Sequence, residues 1–310
     1  MNVSITTKVY QTVKGVKLTR DIIETIPVLG EVGFKHLDWS LNDYASPKYI
    51  LQGDDWEKKL DQVGEVAEKC GVKLHQAHAP SVKLGSFVRN AQFADPAHME
   101  LYKEGMRKTI LACGKLDVKW LFIHPLTCPE YNYERKATLE ENIRFWSPYV
   151  ELAEKNGVGI AFENQLPFLK RQLAQRYCSH YEDLIEFVDS FADPMVGICW
   201  DTGHANQSDF DQYRALTAVG HRLKALHLHD NHYGNKDEHL LPFMGEVKWE
   251  DVIRALVDIG YDGTLNYESA KACSQACGEA QMQLIRLSYE NACYLNQLFE
   301  EELAKKNGAK

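Results

Sequence analysis

The feature that most constrains this chain is a repeated beat. Short runs of β-branched and apolar residues recur along its length, each followed by a longer stretch with helical spacing and one charged face. Eight such pairs are present, with strand candidates Val3–Thr7, Phe34–Ser40, Val72–His78, Val118–His124, Val158–Asn164, Met195–Asp201, Leu223–His229 and Thr264–Ser269. Their ends are about 37 residues apart on average, room for one strand, one helix and two short connections. The intervening helix candidates are Asp21–Glu31, Asp55–Cys70, Ala97–Leu116, Leu139–Asn156, Tyr181–Phe191, Asp209–Val219 and Trp249–Ile259, and a last helix, Glu279–Ala304, closes the chain. Gly33, Gly71, Gly157 and Gly260 each stand directly before a strand, where a left-handed helix cap belongs.

Strand–helix alternation without hairpin signals calls for a parallel sheet, and eight units are the number that closes a (β/α)8 TIM barrel. An open doubly wound sheet would need a glycine-rich first turn, and Lys14-Gly15-Val16 is too sparse for one. No Pro/Gly/Ser linker divides the sequence, so residues 1–310 read as one barrel, with a charged tail expected to fray from about residue 304.

The balance of 35 basic against 44 acidic residues, a net charge of −9, argues against a nucleic-acid partner, because phosphate binding needs a basic surface. No apolar run approaches the ~20 residues of a membrane helix, and the first residues lack the pattern of a secretory signal. A cytoplasmic location is the expectation. The eight cysteines form no close-set framework and read as reduced thiols.

In a barrel of this kind the strand ends and the loops after them build the site. Here they are rich in ligands: His78 in QAHAP, His124 in FIHP, Glu163 in FEN, Asp201 and His204 in CWDTGHAN, His227, His229 and Asp230 in HLHDN, Asp237 and His239 in KDEHLLP, and Glu268 in NYES. Imidazoles mixed with carboxylates suit Zn²⁺ or Mn²⁺, whereas Ca²⁺ and Mg²⁺ favour oxygen almost alone. A single histidine at a strand end is ordinarily a hydrogen-bonded structural group, and His36, His75, His98, His180, His221 and His232 are read that way; six at one rim are not. His227 and His229 are two residues apart on one face, and the deeper can reach across the mouth toward Glu163, Asp201 and Glu268.

The combination FEN, CWDTGHAN, ALHLHDN, DEHLLP and NYES resembles the xylose-isomerase-like TIM-barrel superfamily, specifically its sugar phosphate isomerase/epimerase branch, which also contains endonuclease IV. The resemblance spans about residues 1–300. It implies one divalent ion (Mn²⁺, Zn²⁺ or Mg²⁺) held by Glu163, Asp201, His227 and Glu268, with the two glutamates as acid/base groups and His204 contacting substrate. Endonuclease IV-type relatives hold three zinc ions with five more ligands, for which His78, His124, His204, Asp237 and His239 are the candidates; His229 is a further metal or substrate contact. Two departures stand out: Phe243-Met244-Gly245 follows DEHLLP where the family has a glycine-rich turn, and Asp230–Asn235 lacks the epimerase arginine.

The expected activity is metal-dependent isomerisation or epimerisation of a sugar, keto sugar or sugar phosphate. A metal-dependent lyase, dehydratase or C-glycoside-cleaving enzyme is the first alternative, an endonuclease IV-like zinc phosphodiesterase the second. The expected partner is a small carbohydrate, with no nucleic acid and no membrane. Trp39 and Trp200, with Phe87 and Phe243, are candidates to cover a sugar face. The loop Gln165–Ser179, carrying Lys170, Arg171 and Arg176, is the candidate lid, and Leu284, Leu287 and Tyr294 in the last helix are core or the seam of a homo-oligomer.

Overall fold

Eight parallel strands close around a common axis, with helices between them on the outside. The structure, a computed structural model, describes all residues except 9, 14–15, 20, 47–48, 82–86, 89–91, 94, 128–133, 168–174, 209–210, 235–236 and 309–310. The barrel strands are β1 (Asn2–Thr6), β4 (His36–Ser40), β5 (Lys73–His78), β8 (Trp120–Ile123), β9 (Gly159–Glu163), β10 (Val196–Asp201), β11 (Leu223–His227) and β12 (Thr264–Tyr267). They pair in chain order, and β12 pairs with β1. Between β11 and β12 the barrel is closed by Leu228, whose N–H donates to Asn266 O and whose carbonyl accepts from Glu268 N.

Two hairpins interrupt the expected alternation. One, β2 (Tyr10–Val13) with β3 (Val16–Thr19), follows β1; the other, β6 (Phe87–Val88) with β7 (Gln92–Phe93), follows β5. Each strand has two or four residues, too few for a period of two to register in sequence. Both hairpins sit in connections that leave a strand end, so they stand on the side of the barrel where the ligands lie.

The helices are α1 (Ile22–Val32), α2 (Trp56–Cys70), α3 (Pro96–Lys115), α4 (Arg135–Lys155), α5 (Tyr181–Asp189), α6 (Thr202–Gln207), α7 (Gln212–Val219), α8 (Trp249–Ile259), α9 (Ala270–Cys273) and α10 (Gly278–Gly308). Asp21 caps α1 by accepting from Ile23 N at 2.9 Å. Gly71 and Gly260 end α2 and α8 in the left-handed conformation, as their positions before strands predict. Past residue 304, where the charged tail is expected to fray, the chain is still helical. α10 continues to Gly308, and Lys306 Nζ donates to Val257 O at 3.0 Å, which ties the last turn to α8.

Side-chain parity organises the interior. Trp120, Phe122, Ala161, Cys199 and Ala225 form a separate cluster inside the barrel, while the residues that alternate with them, Leu121, Ile160, Phe162, Ile198, Trp200 and Leu226, pack in the large core that includes the helices. Two residues further along the same strands, the inward set becomes His124, Glu163, Asp201 and His227. Apolar residues, two of them aromatic, fill the barrel below, and titratable residues crown it. Among the described residues no helix is long and apolar enough to cross a membrane, and the described cysteines are all free.

Candidate metal and substrate site

At the carboxyl ends of β9 to β12 the ligand atoms of Glu163, Asp201, His227 and Glu268 all lie within 4.8 Å of one another. Glu163, Asp201 and His227 are sealed from solvent. Glu163 Oε1 is 2.7 Å from His227 Nδ1, Glu268 Oε2 is 3.4 Å from that nitrogen, and Asp201 Oδ2 is 3.9 Å from it. Asn164 braces the pair of strand ends: its Nδ2 donates to Asp201 O at 2.9 Å and its Oδ1 accepts from Asp201 N at 2.6 Å. Asp201 Oδ1 in turn accepts from His204 N at 2.6 Å, so the carboxylate also starts α6.

Two further clusters flank this one. His78, His124 and Glu163 form the first, with His124 Nε2 2.7 Å from Glu163 Oε2. His229, Asp237 and His239 form the second, where His239 Nε2 is 2.8 Å from Asp237 Oδ2 and the two imidazoles stack at 4.2 Å. Of the additional candidates, His229 joins Asp237 and His239, and His204 is not part of that group. His204 Nδ1 donates to Asn164 O at 2.9 Å and stands 3.8 Å from Glu163 Oε1. Asp230 does not join any cluster. Its oxygens accept from Asn231 N, Val247 N and Trp249 Nε1, each at 2.9 Å, and shape the loop after β11.

The donor set fits a divalent cation. His78, His204 and His239 each donate Nδ1–H to a backbone carbonyl, of Ala79, Asn164 and Glu268 at 2.7, 2.9 and 2.9 Å. That bond fixes the tautomer and leaves Nε2 as the lone-pair nitrogen. Asp237 Oδ1 is buried with no hydrogen-bond partner among the described residues, and Glu163 Oε2 has only His124 Nε2 beside it, at 2.7 Å, a costly arrangement unless a cation satisfies them. The electrostatics say the same. Burial pushes the Glu163 carboxyl up, but His227 and His124 outweigh it and hold it well below the usual range. Burial likewise opposes ionisation of Asp201, and His204 and His229 overcome it. Against burial, His227 is driven well above its ordinary value by Cys199 and then by Glu163 and Glu268, and His229 to about 10 by Asp201 and then Asp237. The convergent carboxylates demand positive charge; imidazolium protons meet that demand, and a metal ion meets it equally.

Above the ligands opens a pocket of about 270 Å³ whose wall includes His124, Glu163, His204, Asp237, His239 and Glu268. A larger cavity, about 440 Å³ around His75, Lys119 and Tyr261, is lined by none of the predicted site residues. The aromatic candidates are corrected. Trp39 and Trp200 are fully buried in the helix-facing core, and Trp200 Nε1 donates to Gln212 Oε1 on α7 at 3.2 Å. Because Asp38 and Asp201 point into the barrel, the adjacent tryptophans must point out. Phe243 is half exposed and packs on Trp249 and Tyr294. The side chain of Phe87 and residues Lys170 and Arg171 lie outside the described residues. In the candidate lid, Gln165 N donates to Cys178 O and Arg176 N to Pro167 O, which draws its two ends together. Burial brings the Arg176 guanidinium down to about 10 while Glu163 and Asp237 act to raise it, and its Nε has no hydrogen-bond partner among the described residues.

Sequence reading missed Asp38. Its carboxylate accepts from Asn266 Nδ2 at 3.1 Å, and burial, above all, pushes it up to about 7. It lies below the pocket, beside the nitrogen of His227 that faces away from Glu163. The sequence signal was a carboxylate between Leu37 and Trp39 in the middle of a strand, HLDWS.

A sequence profile described as xylose isomerase-like TIM barrel matches residues 31–287. The chain belongs to this family. MJ1311, an uncharacterized protein of Methanocaldococcus jannaschii, is 33% identical over 216 residues, 68% of this chain and 69% of that protein. D-psicose 3-epimerase of Enterocloster bolteae is 34% identical over 82 residues, 26% of this chain and 25% of the enzyme. Among solved structures, D-psicose 3-epimerase from Clostridium cellulolyticum H10 with D-tagatose superposes with a TM-score of 0.71 at 17% identity, covering 95% of this chain and 99% of that one. At that identity the likeness speaks to the xylose isomerase-like fold, and sugar 3-epimerases are among the proteins that share it.

Proposed function

We propose that this protein is a divalent-metal-dependent isomerase or epimerase of a ketose or related sugar. The observation that carries the reading is that two carboxylates, Glu163 and Glu268, both line the pocket and both converge on His227 Nδ1. Glu163, Asp201, His227 and Glu268 would hold the metal. When bound, it supplies Lewis acidity at adjacent carbonyl and hydroxyl oxygens of the substrate. The chain's own residues do the proton transfer. One glutamate takes the proton from the carbon beside the carbonyl, and the other returns a proton to the opposite face, which inverts that carbon; return to the neighbouring carbon interconverts aldose and ketose. His204, with Nδ1 committed to Asn164 O, presents Nε2 to the pocket as a second proton acceptor or as a partner for a substrate hydroxyl.

Deuterium wash-in from heavy water over a panel of ketoses tests this reading. Wild-type protein is expected to exchange one carbon-bound proton, and Glu163→Gln and Glu268→Gln each to lose exchange while staying folded. Normal exchange in either variant would refute the assignment. The three ligand clusters at one rim, two of which share Glu163, favour a second reading, metal-dependent phosphodiester hydrolysis. Metal analysis separates the two: three zinc ions per chain with cleavage of an abasic duplex, and no exchange on any sugar, would replace the isomerase reading.

A further inference from the structure

The pocket is electrically two-sided. Its lining carboxylates, Glu163, Asp237 and Glu268, all come from β9 or from the loops after β11 and β12. Next round the barrel from β12, the connections after β1, β4 and β5 contribute Lys8, Asn42 and Ser81 to the same pocket, with no carboxylate among the described residues on that side; a second ammonium, Lys271 after β12, also lines the pocket but donates to Asp237 O. Asn42 Oδ1 already accepts from Ser40 Oγ at 3.2 Å, which leaves Nδ2 as its uncommitted donor. The Asn42 carbonyl accepts from Ser81 N, which holds these two residues together. Among the described residues, Lys8 Nζ, Asn42 Nδ2 and Ser81 Oγ have no hydrogen-bond or ion-pair partner in the protein. The charge of Lys8 reaches His78, whose imidazole is held neutral, by burial first and by neighbouring positive charge second.

This wall offers an ammonium, an amide N–H₂ and a hydroxyl, two of them donors only. A sugar hydroxyl, which needs an acceptor for its own hydrogen, finds there only the Ser81 hydroxyl and the imidazole of His78, which is grouped with His124 and Glu163 as a candidate metal ligand. A carboxylate or phosphate accepts without donating, and charge-assisted bonds to it are roughly twice as strong as neutral ones. Building on the isomerase reading, we propose that the substrate is an acidic sugar: its carbonyl end meets Glu163 and Glu268, and its carboxylate or phosphate is received by Lys8, Asn42 and Ser81. One side of the pocket selects the chemistry, and the other selects the charge.

The test is titration calorimetry on the metal-loaded full chain with D-fructose, its 1-phosphate and 6-phosphate, and D-fructuronate. Contact between metal and sugar is common to all four probes, so the difference isolates the charged group. At least one acidic probe is expected to bind about tenfold or more tightly than D-fructose, and which one distinguishes phosphate from carboxylate. Lys8→Met should remove most of that preference and Lys8→Arg restore it, with Ser81→Ala giving a smaller loss. Thermal unfolding of each variant checks the fold. Equal affinity for neutral and acidic probes, or a preference that survives Lys8→Met, would overturn the proposal. Because binding is read without turnover, the two readings fail separately: a charge preference without deuterium exchange sinks the isomerase, and exchange without charge preference sinks the acidic substrate.

Discussion

Asp38 Oδ2 lies 3.7 Å from His227 Nε2, on the ring nitrogen opposite the one that meets Glu163. Both groups are fully buried, and both His227 Nε2 and Asp38 Oδ1 are without a hydrogen bond in the barrel interior. A ligating imidazole is ordinarily oriented through its second nitrogen, and losing that partner typically costs 10–100-fold in metal affinity. Asp38→Ala is therefore expected to weaken metal retention by about that factor, and Asp38→Asn, which keeps an acceptor oxygen, to weaken it less. Equilibrium dialysis against a competing chelator measures this directly. Affinity unchanged in Asp38→Ala would show that packing against Phe122, 4.0 Å from the imidazole, orients His227 unaided.

Gly203 in DTGH is required by a close approach. A Cβ there would fall 2.0 Å from His229 Cε1, and His229 has no room to retreat because its Nε2 is held 3.0 Å from Asp201 Oδ2. Gly203→Ala is expected to destabilise the protein by about 1–3 kcal/mol, the usual cost of overpacking a filled core. The contrast is Gly64 in the middle of α2, where an added Cβ meets only the end of the Leu116 side chain. Gly64→Ala should be neutral or stabilising by up to about 1 kcal/mol, because alanine lowers the entropy cost of the helix. Urea unfolding of the two variants in parallel decides it: equal effects would refute the close-approach account.

The barrel was legible because its elements are long and periodic, and because the inward parity that buries Ala161, Cys199 and Ala225 continues to Glu163, Asp201 and His227. The same parity, applied one residue earlier, would have removed Trp39 and Trp200 from the substrate wall. It was the aromatic character of those residues that suggested a sugar face, yet character says nothing of direction. Asp38 was hidden for the converse reason: no motif surrounds it, and only the closed barrel brings it to His227 from the far side of the sheet. That His229 and not His204 joins Asp237 and His239 has a similar origin. α6 begins immediately at Thr202 and turns His204 toward Asn164, a geometry that a spacing of three residues does not determine.

Trp200 offers a direct check on that correction. Its indole is committed to Gln212 on α7, so Trp200→Phe leaves a buried amide oxygen unpaired and is expected to cost about 1–3 kcal/mol in urea unfolding. The Michaelis constant for whichever ketose shows exchange should stay within about twofold, since truncating a side chain that does not line the pocket removes no substrate contact. A large rise in Michaelis constant without loss of stability would return Trp200 to the substrate wall.

At the opposite end of the barrel from the ligands, acid sensitivity is built in. The His75 imidazole is pushed down to about 4, chiefly by burial, with His36 and Lys119 adding to it; its ring lies 5.8 Å from that of His36, which burial and Lys73 also lower. In the unfolded chain His75 protonates near its ordinary 6.5. Between these values the unfolded state binds a proton that the folded state refuses, so stability is fully present above about pH 6.5 and falls as pH drops toward 4. A shift of one unit is worth about 1.4 kcal/mol, and since the ring is partly open to solvent the expected loss is about 1–2 kcal/mol rather than the full difference. His75→Gln removes the titrating group. Its urea midpoint should therefore decline less steeply than that of the wild type between pH 7 and pH 4.5, with carboxylate protonation common to both. Parallel declines would show that His75 takes up its proton in the folded barrel as readily as in the unfolded chain.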